Sequence, residues 1–402
     1  MEHLGVFDAA RITKIADEVQ RITQVRHDYI SPRSKLAIDV SDASPTKLAL
    51  TVRNGQEHSF PIERRSLLQL AGTLDFPVKF LERLQERGHN DIVAANLTEL
   101  LSREDKDTKG EPRKHLIREL DGSIDAVLSD SYRSIASADV LALALQEFER
   151  AGVSVWDLRH TPTEFRILAV APHIAGKVTT DRNFSGVSRW EGAAGDVLNA
   201  AVSIGNSETG HGRFYGKVSI LRRVCQNFCV WGDGVAQVHL GKKLEEGERV
   251  WTSEETRTLE DKALVSKLKD VIRTSFSAEA FRKTLDAINL TTTRTLGEAS
   301  VTEVVDASIK VYGLPLERRE AIIERLLKSG DKSQFGASNA ISAEANPDNA
   351  KGLDDAARST FEDAAGAVLK LNERAWKNFL RNAITPKDET IEAATQTVSR
   401  VR

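Results

Sequence analysis

The sequence predicts an α+β fold: a central antiparallel sheet of β-hairpins flanked by helices, with a helical C-terminal third. Three observations predict it. The strand-like segments come in adjacent pairs joined by turn residues, and do not alternate with helices. Apolar residues recur at helical spacing near the N-terminus. From Trp251 onward the pattern is helical.

Each element follows from its own signal. Ile12, Ile15, Val19, Ile22 and Val25 are spaced as on one face of a helix over residues 8–28. "KLALTVRNGQEHSFPI" gives two strands around Asn54-Gly55, a strong hairpin signal. Residues 63–102 read as helix in three pieces, punctuated by Gly88 and Asn90. The charged stretch 102–115, with Gly110 and Pro112, reads as a linker. "KHLIRELDGSIDAVLSDSYRSI" is a hairpin turning at Asp121-Gly122, and "ASADVLALALQEFERAG" is an amphipathic helix capped by Ser137 or Asp139. A second hairpin turns near Thr161-Pro162. "DVLNAAVSIGNSETG" is a strand running into a glycine-rich turn, and "VAQVHLG" closes the β-rich region. Helices are expected over 253–292 and 300–329, a loop with one helical turn over 330–352, and a long helix over 353–380. The implied domains are 1–103, 116–250 and 251–384, followed by a frayed tail, 385–402.

Composition excludes several classes. The chain of 402 residues has a formal net charge of -3, so it lacks the overall basic excess of many nucleic-acid binders. Two cysteines, Cys225 and Cys229, cannot make a disulfide framework. The N-terminus has no basic segment followed by an apolar run, and no window holds 18 consecutive apolar residues. A cytoplasmic protein with no membrane segment is expected.

The most informative stretch is "SILRRVCQNFCVWGDG", residues 219–234. Read as one central strand, it puts Ile220, Arg222, Val224, Gln226, Phe228 and Val230 on one face. Leu221, Arg223, Cys225, Asn227, Cys229 and Trp231 fall on the other. A buried arginine needs a partner. One reading pairs it with a core carboxylate such as Glu208 or Asp196. The other makes Arg222 or Arg223 the centre of an anion site. Charge supports the second: between residues 210 and 243 stand Arg213, Lys217, Arg222, Arg223, Lys242 and Lys243, against one acid, Asp233. Phe214, Tyr215, Phe228 and Trp231 are interleaved. Cations that track phosphates beside rings that stack bases are what single-stranded nucleic acid requires.

The turn "IGNSETGHGRFYG" supplies Asn206, Ser207 and Gly210, whose backbone N–H groups suit an anion, although no Gly-Lys-Ser/Thr ends it. Tyr132 and Arg133 stand at a strand-to-helix junction, where Tyr132 is either a packing anchor or a stacking platform. Cys225 and Cys229, four apart on a strand, would lie roughly 13 Å apart, too far to share a zinc ion. No HExxH, GxSxG or paired CxxC motif is present, and His160 sits alone in a turn. Neither a metal nor a cofactor is expected.

Four segments also resemble the DUF932 family, uncharacterised phage- and plasmid-like proteins. "RRVCQNF" is similar to its R-x-V-C-x-N segment and "AVLSDSYRSI" to its D-x-Y-R step. "SIGNSETGHG" is similar to its N-S-x-x-G turn, and "SNAISAEAN" to the segment before its last helix. The resemblance spans roughly residues 30–380 and picks out Arg222, Cys225, Asn227, Asn206, Ser207, Tyr132, Arg133 and Asn339. It implies a mobile-element protein in a bacterial host and no defined activity. Together these readings lead to an expected non-enzymatic protein that binds single-stranded DNA or RNA, with strand annealing in recombination by a homo-oligomer as the finer expectation. Arg222, Arg213, Lys217, Arg223, Lys242, Lys243, Asn227 and Arg133 would contact the strand, and Tyr132, Tyr215 and Phe214 would stack. The competing expectation is a module that binds a host or phage protein.

Overall fold

The structure is a computed structural model. It describes residues 9–41, 47–54, 56–103, 106, 110, 112–130, 132, 135–178, 196–222, 227–232, 235–237, 254–346, 349–353 and 355–384. Helix α1 (Ala9–Val25) leads into β1 (His27–Pro32), β2 (Leu36–Val40), β3 (Leu48–Asn54) and β4 (Gln56–Pro61). Three helices follow, α2 (Arg64–Thr73), α3 (Val78–Glu86) and α4 (Asn90–Ser102), and then the hairpin β5 (Lys114–Leu120) and β6 (Ser123–Ser129). Two three-stranded antiparallel sheets result, ordered β1-β5-β6 and β2-β3-β4. The pairing of β1 with β5 ties the expected N-terminal domain to the start of the expected central one, so residues 27–130 fold as one unit. Its core joins Leu36, Leu50, Leu67, Leu81, Leu97, Ile117 and Val127.

After α5 (Ser137–Ala151) comes the central sheet: β7 (Ser154–His160), β8 (Phe165–Val178), β9 (Asp196–Asn206), β10 (Phe214–Arg222) and β11 (Asn227–Val230). They are neighbours in sequence order, all antiparallel, and β12 (Val235–Gln237) pairs with the start of β10. The β8–β9 ladder carries a bulge near residues 171–174, where the Asn199 amide donates to the carbonyls of Ala171, Pro172 and Ile174. Phe165, Ile167, Val202, Ile204 and Phe214 pack against α1, α5 and α6 (Glu254–Ser275). Further along, Leu198, Ala200, Ile220 and Cys229 join the core of the C-terminal helices. Those helices are α7 (Ala278–Thr293), α8 (Val301–Tyr312), α9 (Arg319–Ser329), α10 (Gln334–Ser342), α11 (Asp355–Lys370) and α12 (Glu373–Ile384). The expected α+β class, with its helical C-terminal third, is what the structure shows.

Three expectations change. The stretch 219–234 is not one strand: Ser219 pairs with Val230 and Arg222 with Asn227, so the chain reverses between them. Paired residues share a face, so Arg222 and Asn227 lie together and not on opposite faces. The small, polar 330–352 segment contains a nine-residue helix, α10, whose residues are nearly all buried. Small side chains let it into the core, where polarity alone suggested a loop. The expected helix over 353–380 is two helices, broken at Leu371-Asn372, where Asn372 accepts from the Ala375 N–H at 2.9 Å.

Candidate functional site

The predicted residues separate into two clusters at opposite ends of the β9–β10 hairpin. Asn206 ends β9 at one side, and Arg222, paired with Leu198, ends β10 at the other. Eight residues at about 3.3 Å each put them roughly 26 Å apart along the strands.

At the first end the glycine-rich loop is clasped, not open. Glu208 forms an ion pair with Arg26, and its other oxygen accepts the Ser137 N–H at the start of α5, 2.7 Å away. Arg118 is held bidentately by Asp28 at 2.9 and 2.8 Å and also donates to the Glu208 carbonyl. The Tyr132 hydroxyl donates to the Ser207 carbonyl and accepts the Gly210 N–H, both at 3.1 Å. The Asn206 amide donates to the Ile135 carbonyl and the Ser137 hydroxyl. Gln69 of α2 donates to the Thr209 carbonyl at 2.6 Å. The Gly210 N–H, expected to face an external anion, is thus taken by Tyr132, and the loop's own carboxylate is held by Arg26 and α5. Burial works against that carboxylate, yet Arg26 and the Ser137 N–H hold Glu208 below the ordinary carboxylate range. Burial likewise pushes the Tyr132 phenol up to about 12.

At the second end Arg222 pairs with Asp196, its Nε 2.7 and 2.6 Å from the two carboxylate oxygens, and its guanidinium lies 5.3 Å from the Phe335 ring centre. Asn227 donates to the Asn339 carbonyl at 3.1 Å. So two segments of the DUF932 resemblance, "RRVCQNF" and "SNAISAEAN", touch here, and the other two meet at the clasp.

On the second face of the sheet, opposite the one that carries Ile204 and Phe214, lies an ion network. Arg159 and Arg166 both pair with Glu362 of α11, and Arg159 also pairs with Asp157. Arg166 is 2% exposed and Glu362 1%. Lys217 binds Asp363 at 2.9 Å, with its ammonium 4.8 Å from the centre of the Tyr215 ring. Burial draws the Lys217 ammonium below its ordinary value despite Asp363.

These contacts place most of the predicted residues within the fold. Tyr132, Tyr215 and Phe214 are 7%, 8% and 1% exposed, so no base can stack on them. The Tyr215 ring lies across Gly205, where an added Cβ would come within 2.4 Å of it. Asn206, Ser207 and Asn227 are buried, Arg222 is paired with the buried Asp196, and Lys217 is paired with the exposed Asp363. Period-two alternation could not reveal this, because it does not say which face a distant helix covers. Arg213 is partly buried and keeps no ion pair with a described residue. Arg223, Lys242, Lys243, Arg133 and Cys225 lie outside the described residues. Among the described residues no group of three or more His, Cys, Asp or Glu side chains could hold a metal, and no helix is long and apolar enough to cross a membrane.

A different surface has the predicted chemistry. Helix α3 buries Leu81 and Leu84 against the N-terminal core. Pro77 precedes it, and Gly88 (φ 78°) closes it: the His89 N–H bonds the Leu84 carbonyl and the Gly88 N–H the Gln85 carbonyl. That left-handed residue leaves the outer face intact to its end. Phe80, Arg83 and Arg87 fall on this outer stripe at i, i+3 and i+7, with Lys79 beside them, and Phe76, just before the helix, packs partly against the core. Phe80 is 50% exposed, and its ring centre is 6.1 Å from that of Phe76. Lys79, Arg83 and Arg87 are exposed and form no ion pair with a described residue, whereas neighbouring Glu82 is taken by Arg64. The sequence "FPVKFLERLQERG" carried the spacing, but a stripe of mixed cations and rings is not an apolar period, so a search for core faces passes over it.

Comparisons with protein-family models, with curated proteins and with solved structures give no match. The DUF932 resemblance therefore rests on its four segments alone.

Proposed function

We propose that this chain binds single-stranded nucleic acid without catalysing a reaction, and that the outer stripe of α3 is where it binds. One observation carries the reading: an exposed ring, Phe80, braced by the partly buried Phe76 and set beside three exposed cations that form no ion pair with a described carboxylate. Rings stack on bases regardless of sequence, and the cations lie where a strand's phosphates would run. An anionic membrane would also attract the cations, but it needs a broad apolar face. The apolar face of α3 is already buried by Leu81 and Leu84.

The test is fluorescence anisotropy with a labelled single-stranded oligonucleotide, comparing wild type with Phe80→Ala and with Lys79→Ala/Arg83→Ala/Arg87→Ala. All four positions are exposed, so the variants should fold as wild type does. The reading requires wild-type binding that both variants weaken. Binding unchanged by either removes α3 from the site, and binding to anionic vesicles with none to the oligonucleotide replaces nucleic acid with lipid. Annealing of complementary strands is the finer form of this reading and is scored separately by a quench assay.

A second reading, a protein partner, is favoured by the helical third, where Leu259, Leu290, Leu316 and Leu327 are each more than half exposed. A pull-down without a specific partner counts against it.

A further inference from the structure

The apolar cores of the molecule do not merge across the clasp. The core of residues 27–130 runs from Leu36 to Val127, and the core on the helix-covered face of the central sheet runs from Val19 to Ile272, with no member in common. Polar bonds that converge on residues 206–211 join them: Arg26 and Arg118 to Glu208, Tyr132 to Ser207 and Gly210, and Gln69 to Thr209. Glu208 reaches both sides through a charged group, by Arg26 on one and the first turn of α5 on the other, and Thr209 bridges them through neutral bonds to Gln69 and Thr163.

We propose that this joint is an acid-loosened clasp: a proton on Glu208 releases its side chain from Arg26 and from the Ser137 N–H, and the joint between the two units loosens there while each keeps its core. This is independent of the nucleic-acid reading. The groups that face Glu208 come from every adjoining element. They are Arg26 between α1 and β1, Arg118 of β5, Tyr132 after β6, the Ser137 N–H of α5 and His160 at the end of β7. Beyond them stand Asp28 with Arg118, Glu18 and Arg21 with Asp121, and Asp125 with Arg65, which also borders His211.

The signs agree. A carboxylate held below its ordinary value stabilises the closed joint above the ordinary range and loses that contribution as pH falls through its folded value. Both Glu208 and Asp28 are of this kind. His160 is pulled down by burial, so its neutral form suits the closed state, and it too opposes closure when acid protonates it. The joint holds at neutral pH and weakens progressively as pH falls from 4.5 toward the lower folded value of Glu208.

Hydrogen exchange followed by mass spectrometry on the full chain tests this, at about pH 7 and about pH 4 with intrinsic rates normalised. Wild type at the lower pH should lose protection at residues 206–211 and in the first turn of α5, while β2–β6 and β8–β10 stay protected. Glu208→Gln should show the same local loss at neutral pH. Arg26→Gln removes the same ion pair from the other side and should match it, which guards against a folding defect peculiar to one variant. Neutral-pH protection equal to wild type in both variants overturns the proposal. So does a loss that spreads evenly through both cores.

Discussion

Arg222 of β10 and Asp196 of β9 form an ion pair inside the fold, with the Asp196 side chain 2% exposed and that of Arg222 13%. A charge removed from water keeps its place only while its partner stays. Arg222→Ala should therefore destabilise the protein by about 3–5 kcal/mol, by leaving Asp196 buried and unpaired. Urea denaturation measures it. A loss below about 1 kcal/mol, in the range of exposed pairs, would show that the pair is solvated. At a temperature where the variant is still folded, its affinity for a single strand should equal that of wild type, because Arg222 does not lie on α3.

Gly366 of α11 lies directly on the backbone of β11. A Cβ there would sit 1.6 Å from the Val230 carbonyl oxygen. Strand backbone cannot yield as a side-chain tip can, so Gly366→Ala must push α11 off the sheet. α11 also carries Phe361, Val368 and Glu362, so the displacement reaches both the core and the buried ion network. Destabilisation of at least about 1–3 kcal/mol is expected, the usual range for overpacking. Gly72, with nothing within 4 Å of its Cβ position, is the control and should be close to neutral.

The limits of the sequence follow from the same contacts. Local chemistry was legible. β3 and β4 pair antiparallel from Asn54 and Gln56 onward, and Asp121 and Gly122 take positive φ values of 50° and 81° in the β5–β6 turn. A pairing requirement was legible too, since a core arginine needs an acid and Asp196 was one of two candidates. The other candidate, Glu208, turned instead to Arg26 and Arg118, which lie 182 and 90 residues away. Long-range partners leave no local signal. The stacking rings were misread for a related reason. Interleaved rings and cations look alike whether the face meets solvent or the carboxylates of α11, and only the placement of α11 separates the two.

Glu164 behaves oppositely to Glu208. Burial raises its carboxyl above the ordinary value, although Arg166 and the Tyr215 hydroxyl, 3.2 Å away, pull it down. A carboxylate with a raised folded value favours folding most while protonated, and that contribution is lost as pH rises from 4.5 toward the folded value. Glu164→Gln keeps an acceptor for Tyr215 without the charge. The variant should therefore melt at a higher temperature than wild type near pH 7, and the two should converge near pH 4. A variant that melts lower at neutral pH would show that attraction to Arg166 outweighs burial.

Salt dependence separates the roles along α3. Each phosphate neutralised on a single strand contributes about 0.7 to the slope of log affinity against log salt. If Lys79, Arg83 and Arg87 each hold one phosphate, the triple alanine variant should lower that slope by about 2. Phe80 stacks without charge. Phe80→Ala should cost about 1–3 kcal/mol of binding at every salt concentration and leave the slope as it was. Titrations between about 50 and 200 mM salt measure both. A slope that falls equally in the two variants would mean that Phe80 only supports the cations. A slope unchanged in the triple variant would place the phosphates elsewhere, with Arg213 the next position to substitute because it too, although partly buried, forms no ion pair with a described residue.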